Sequence, residues 1–181
     1  MFIAVQALQE KEISFKEKLS PGTLDLGPDI SQLGPLVTQG RASLVEEHEG
    51  KIRIADIRLV GEFRTRLELK CARCLEPVER DVAGQFDLIY RPLGAVQSPA
   101  EKAISEAETE MGFYQGGGLQ LEDALKEQVL LAVPMREICQ ADCKGLCPQC
   151  GRNLNTESCD CPPRTMDPRW AALESIKEKL Q

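Results

Sequence analysis

Across residues 36–90, apolar and polar residues alternate, and a period of two predicts strands with one buried and one wet face. Phe63, Thr65, Leu67, Leu69 and Cys71 fall on one parity, and Glu62, Arg64, Arg66, Glu68 and Lys70 on the other. Beyond Cys74, Val78, Val82, Phe86, Leu88 and Tyr90 share a parity. The two runs read as an antiparallel hairpin with Cys71-Ala72-Arg73-Cys74 at its tip. Upstream, residues 41–47 lead to a turn at Glu49-Gly50. Ile52 and Ile54 alternate with charges, and Ile57 and Leu59 then take the opposite parity, which predicts a β-bulge around Ala55-Asp56. Residues 2–8 and 13–19 read as two further extended segments, the second with Ile13, Phe15 and Leu19 on one side.

The period changes after residue 118. Leu121, Leu125, Val129 and Ala132 recur at helical spacing, predicting a helix over 121–133 that Pro134 stops. Asp167-Pro168 reads as an N-cap and a first-turn proline. Trp170, Leu173, Ile176 and Leu180 then form the apolar stripe of a final helix to about residue 180. Pro and Gly punctuate residues 21–35, a loop that Leu24, Leu26, Ile30, Leu33 and Leu36 would pin to the core. Residues 91–118 carry Glu101, Glu106, Glu108, Glu110 and the run Gly116-Gly117-Gly118, and read as an acidic linker. The expected class is α+β: an antiparallel sheet or partial barrel, two helices, and a C-terminal zinc-ribbon-like cysteine segment. Residues 1–137 would form the β-rich domain, and residues 138–181 a metal-binding segment with the last helix packed on it.

The 181 residues suffice for one domain with a small appendage, and 42% hydrophobic with 28% charged residues is ordinary for a globular protein. The net charge of −7 weighs against binding nucleic acid by bulk electrostatics. No apolar run reaches the roughly 18 residues that span a bilayer. The first residues lack a basic region and soon meet Glu10, Lys11 and Glu12. They read as a strand and not as a signal peptide, so a cytoplasmic location with reduced thiols is expected.

The chemistry lies in eight cysteines. Cys139, Cys143, Cys147, Cys150, Cys159 and Cys161 crowd a segment poor in apolar residues, which burial alone cannot hold together. Two Cys-x-x-Cys pairs, a Cys-x-x-x-Cys and a Cys-x-Cys point to metal, zinc first, with iron or an iron–sulfur cluster as the other metal reading. The natural partition gives two zinc ions, one on Cys147, Cys150, Cys159 and Cys161, the other on Cys71, Cys74, Cys139 and Cys143. Pro148 presets the turn of the Cys147-Pro148-Gln149-Cys150-Gly151 knuckle, and Gly151 lets the backbone swing round the metal. Four thiolates leave no open coordination position, so the ions would be structural. No catalytic constellation accompanies them: the single His48 lies in a polar turn, and Gly116–Gly118 lacks the Lys and Ser/Thr of a phosphate loop.

Residues 51–80 hold eight Lys/Arg against five Asp/Glu. Arg64, Arg66, Lys70, Arg73 and Arg80 form either an ordinary solvated sheet face or a basic face that contacts RNA or a partner.

Four stretches together resemble the YceD family, the bacterial and plastid large ribosomal RNA subunit accumulation proteins. They are Cys71-Ala72-Arg73-Cys74-Leu75-Glu76-Pro77, the helix end Leu130-Leu131-Ala132-Val133-Pro134, Cys143-Lys144-Gly145-Leu146-Cys147-Pro148-Gln149-Cys150-Gly151-Arg152-Asn153-Leu154-Asn155, and Asp167-Pro168-Arg169-Trp170. The likeness runs from about residue 36 to the end. It implies a role in synthesis, processing or stability of 23S ribosomal RNA and no enzymatic activity. The partner would be ribosomal RNA or a large-subunit assembly or processing protein, with no membrane and no small-molecule substrate. The competing expectation is a cytoplasmic thiol, metal-handling or redox-sensing protein, whose sulfurs would be accessible and of low pKa.

Overall fold

The computed structural model describes residues 1–49, 52–95 and 111–162. In chain order its elements are β1 (Phe2–Ala4), α1 (Val5–Glu10), β2 (Ile13–Leu19), β3 (Ser31–Gln32), β4 (Leu36–Glu49), β5 (Ile52–Lys70), β6 (Pro77–Pro92), β7 (Met111–Tyr114), β8 (Gly118–Gln120) and α2 (Leu121–Ala132). The main sheet has the order β2-β4-β5-β6-β7, with β3 paired to the far end of β5 beyond β4. A second, two-stranded sheet joins β1 to β8.

The alternation in β5 and β6 sets the register. Leu59 opposes Leu88, Thr65 opposes Val82 and Leu69 opposes Val78, so one face of the hairpin is mostly apolar. On that face lie Leu36 and Ala42 of β4, Phe15 of β2, and Leu59, Phe63, Leu67, Val82 and Phe86 of the hairpin, all buried. Leu121, Ala124, Leu125 and Val129 of α2 cover it, with Leu8 of α1 and Ile3 and Leu119 of the small sheet. The opposite face carries Lys16, Gln39, Arg64 and Arg66 into solvent.

Glycines let aromatic rings lie flat on the sheet where three strands meet. Gly40 opposes Gly61, and the Phe15 ring occupies the space a Gly40 side chain would need. A Cβ there would fall 2.3 Å from the Val60 carbonyl oxygen and 2.5 Å from Phe15 Cζ. Because one obstacle is backbone, Gly40→Ala is expected to destabilise the fold by about 1–3 kcal/mol, read as a lower midpoint in urea; an unchanged midpoint would refute the close approach.

Several expectations are corrected. The sheet is open and not a closed barrel: its edge strands β2 and β7 do not pair with each other. It is also not wholly antiparallel, since β7 runs parallel to β6, with Ile89 opposite Met111 and Pro92 opposite Tyr114. The expected linker thus contains one strand, β7, and ends where a second, β8, begins, both too short to show a period. Residues 2–8 are not one strand. After Ala4 the chain turns into α1, where Leu8 reaches the core; the stretch Gln6-Ala7-Leu8-Gln9-Glu10 favours a helix once Val5 N–H has bonded Gly117 O at 2.9 Å.

No bulge interrupts β5, whose pairing with β4 keeps one register from Val37↔Arg64 to Glu49↔Ile52. The parity slip marks instead a place where both faces are buried. Ile54 and Asp56 are covered on the outer side, Ile57 and Leu59 on the inner. Arg91 of β6 lies over Asp56, donating from Nε at 3.1 Å and from Nη2 at 2.7 Å, and also reaches Glu47 at 2.5 Å. Those bonds, with Asp56 foremost, raise the guanidinium pKa further. Leu33 is 42% exposed and does not pin the loop, whereas Leu24 and Leu26 do. Ala132 is also exposed, and Ala124 replaces it on the packed face of α2. The expected final helix at 168–180, with Trp170, and the acidic run Glu101–Glu110 lie outside the described residues.

Candidate metal centre

The β5–β6 hairpin ends in the turn Cys71–Glu76. Cys71 N–H donates to Glu76 O at 2.8 Å, and Leu75 N–H donates to Cys71 O at 2.9 Å. The second knuckle repeats this pattern residue for residue. Cys147 N–H donates to Arg152 O at 2.8 Å, and Gly151 N–H to Cys147 O at 2.9 Å. In both, the residue after the second cysteine is left-handed, with φ 74° at Gly151 and φ 63° at Leu75. Glycine takes that conformation freely; a leucine pays roughly 1–2 kcal/mol. Leu75 gains little burial in return, being 59% exposed. The sequence motif signals the turn at Gly151 but hides it at Leu75.

The chain leaves α2 and returns to the hairpin tip. Ala72 N–H donates to Glu137 O at 2.7 Å, Leu146 N–H to Arg73 O at 3.0 Å, and Arg73 Nη1 to Cys143 O at 2.7 Å. These contacts bring Cys139 and Cys143 beside Cys71 and Cys74. Two tetrads result, Cys71/Cys74/Cys139/Cys143 and Cys147/Cys150/Cys159/Cys161, each with its sulfurs within 4.8 Å of one another. The grouping is the one the spacing predicts.

The donor sets fit a metal. Cys71 Sγ lies 3.9 Å from Cys143 Sγ, and Cys74 Sγ 3.6 Å from Cys139 Sγ. Tetrahedral zinc with Zn–S bonds of about 2.3 Å requires sulfur pairs roughly 3.8 Å apart, whereas a disulfide needs about 2.05 Å. All eight cysteines are unbonded. Backbone amides point at sulfur, with Arg73 N–H and Cys139 N–H each 3.4 Å from Cys71 Sγ. With the Cys74 amide as the largest contributor, such bonds bring the Cys71 thiol down to about 6. Cys147 also falls to about 6, through the amides of Cys150 and Gln149. The last thiols of each set resist ionisation. Desolvation and then the Cys143 thiol push Cys139 up to about 12, and the Cys150 thiol, then desolvation, push Cys161 up to about 12. Four thiolates this close repel one another, and a divalent cation is what reverses that order.

The tetrads differ in setting. Cys71, Cys74 and Cys143 are buried with Val78, Ile138 and Leu146 in a small cluster separate from the main core. In the second tetrad Cys147 is buried, Cys150 exposed, and Cys159 and Cys161 intermediate.

The five basic residues singled out from sequence do not share one face. Arg80 opposes Leu67 and therefore lies on the inner face, where Nε and Nη2 grip the buried Glu137 at 3.1 and 2.5 Å. Arg73 braces the Cys143 carbonyl. Arg66 pairs bidentately with Asp81 at 2.8 and 3.3 Å, and Lys70 pairs with Asp29 at 2.6 Å. Arg64 makes no ion pair among the described residues. Sequence reasoning missed Glu137 and Asn155, because a lone polar residue between cysteines carries no periodic signal.

A family model described as large ribosomal RNA subunit accumulation protein YceD matches residues 59–177. An uncharacterized protein of Mycobacterium tuberculosis is 36% identical over 104 residues, covering 58% of this chain and 47% of its own. The maize protein named large ribosomal RNA subunit accumulation protein YCED homolog 1, chloroplastic, is 26% identical over 165 residues, covering 78% of this chain and 56% of its own. Protein YlbN of Bacillus subtilis, also uncharacterized, is 26% identical over 152 residues, 83% of this chain and 79% of its own. The chain spans about half the length of most of the curated relatives it matches. No solved structure matches it.

Proposed function

The chain belongs to the YceD family, and from that premise we propose that it supports the synthesis, processing or stability of 23S ribosomal RNA as a non-enzymatic, zinc-stapled binding module. The observation that carries the stapling is the tetrad built from two distant segments, Cys71 and Cys74 at a hairpin tip and Cys139 and Cys143 after α2. Closed four-thiolate sets favour a structural ion over a reactive one. The module would act in the cytoplasm; no helix among the described residues is long and apolar enough to cross a membrane. Its ligand would be ribosomal RNA or a large-subunit assembly or processing protein, and Arg64 on the outer sheet face is one basic residue available to it.

Depletion of the protein is expected to lower 23S relative to 16S ribosomal RNA, measured on total RNA; an unchanged ratio would sink the proposal. Affinity purification with and without ribonuclease then separates an RNA ligand from a protein one. Exposure of Cys139 and Cys150 favours one competing reading, a thiol or metal-handling protein. Fast alkylation of the zinc-loaded protein would support that reading, and protection of all eight thiols would exclude it.

A further inference from the structure

Asn155 belongs by sequence to the second tetrad, in the loop between Cys150 and Cys159. Its side chain serves the first. Nδ2 donates to Cys143 Sγ at 3.3 Å, and Oδ1 accepts from Lys144 N–H at 2.8 Å. Asn153 fixes that pose: its Oδ1 accepts from Asn155 N–H at 3.0 Å and from Asn155 Nδ2 at 2.8 Å. Asn153 Nδ2 in turn reaches Glu76 Oε1 on the hairpin at 3.2 Å. Leu154 N–H donates to Gly145 O at 2.9 Å. This loop is polar and has no apolar core of its own. Its ends are held where Cys150 and Cys159 converge with Cys147 and Cys161.

We infer that the two tetrads load with metal interdependently, and that Asn155 is the positioning residue that couples them. The inference rests on the reading of both tetrads as metal sites. A metal at Cys147, Cys150, Cys159 and Cys161 closes the loop and so places the Asn155 amide on Cys143. That N–H···S bond withdraws charge from a four-thiolate centre and orients one of its ligands. Outer partners of this kind are typically worth 10–100-fold in metal affinity. Linkage makes the effect mutual: filling the first tetrad strengthens the second by the same factor.

The test titrates zinc into the full-length chain against a chromophoric chelator, with native mass spectrometry counting ions and cobalt(II) absorption reporting thiolate coordination. Cys159→Ser with Cys161→Ser empties the second tetrad and is expected to weaken the first 10–100-fold. Asn155→Ala, with all ligands intact, is expected to weaken the first by a similar factor. Combining the changes should cost little more than either alone. Asn155→Asp is nearly isosteric and keeps the acceptor for Lys144 N–H. It replaces the donor with a second anion and should weaken the first tetrad at least as much as alanine does. Far-ultraviolet circular dichroism of each variant checks that the main sheet is intact. First-site affinity unchanged by emptying the second tetrad, or Asn155 and cysteine effects that multiply in full, would overturn the coupling. A wild-type chain that binds no metal at all would instead overturn the underlying reading, a separate outcome.

Discussion

Cys71→Ser is expected to strip metal from the first tetrad and release residues 138–162 from the hairpin, while the sheet stays folded. Cys71 is fully buried and its sulfur accepts two backbone amides. Among the described residues no fifth ligand-bearing side chain joins the set. Structural four-ligand zinc is worth on the order of 10 kcal/mol of apparent binding energy, which far exceeds what Val78, Ile138 and Leu146 supply by packing around the sulfurs. The main core contains no cysteine, so its urea midpoint should shift little. Native mass spectrometry should count at least one ion fewer, and limited proteolysis should cut within 138–162. A full metal complement with that segment still protected would show that sulfur-bound metal is not what holds it.

Asp56→Ala should cost about 3–5 kcal/mol, the largest loss expected from a single change outside the cysteines. Its side chain is 1% exposed and Arg91, at 12%, is left with Glu47 alone. Most of the penalty is the guanidinium left short of partners, not the intrinsic strength of the pair. Replacing both residues with apolar ones of similar volume, Asp56→Leu with Arg91→Met, should therefore restore most of the stability. Chemical denaturation of the single and double variants decides between the two origins. If the double variant is as weak as the single one, the pair itself stabilises the sheet.

Much of this architecture is legible before folding because it depends on local rules. The alternation in β5 and β6 reports a sheet with one wet face, and the apolar spacing in 121–133 reports α2, since burial selects those periods directly. The sulfur partition is legible because four-ligand sites use cysteines in pairs, and the pair Cys139 and Cys143 has no partners except Cys71 and Cys74. What stays hidden depends on distant neighbours. Asp56 breaks the strand pattern only because Arg91 arrives from another strand to cover it. Met111–Tyr114 joins the sheet through β6, and its four residues are too few to show a period. Arg80 shares the parity of Val78 and Val82, so the alternation already turns it inward, and what the sequence hides is its partner there, Glu137. A charge count along the chain does not record which side of a sheet each charge faces.

Ala4 pairs with Gly118, and Leu121 donates its amide to the Met1 carbonyl. During translation the segment Phe2–Ala4 must therefore wait for Gly118 to emerge, roughly 6–23 s at ordinary elongation rates. Until then Ile3, fully buried in the finished molecule, lacks its strand partner Leu119. Cys71 and Cys74 are made before Gly118, whereas Cys139, Cys143 and the four cysteines of the second tetrad follow it, so both tetrads are completed only after the small sheet can close.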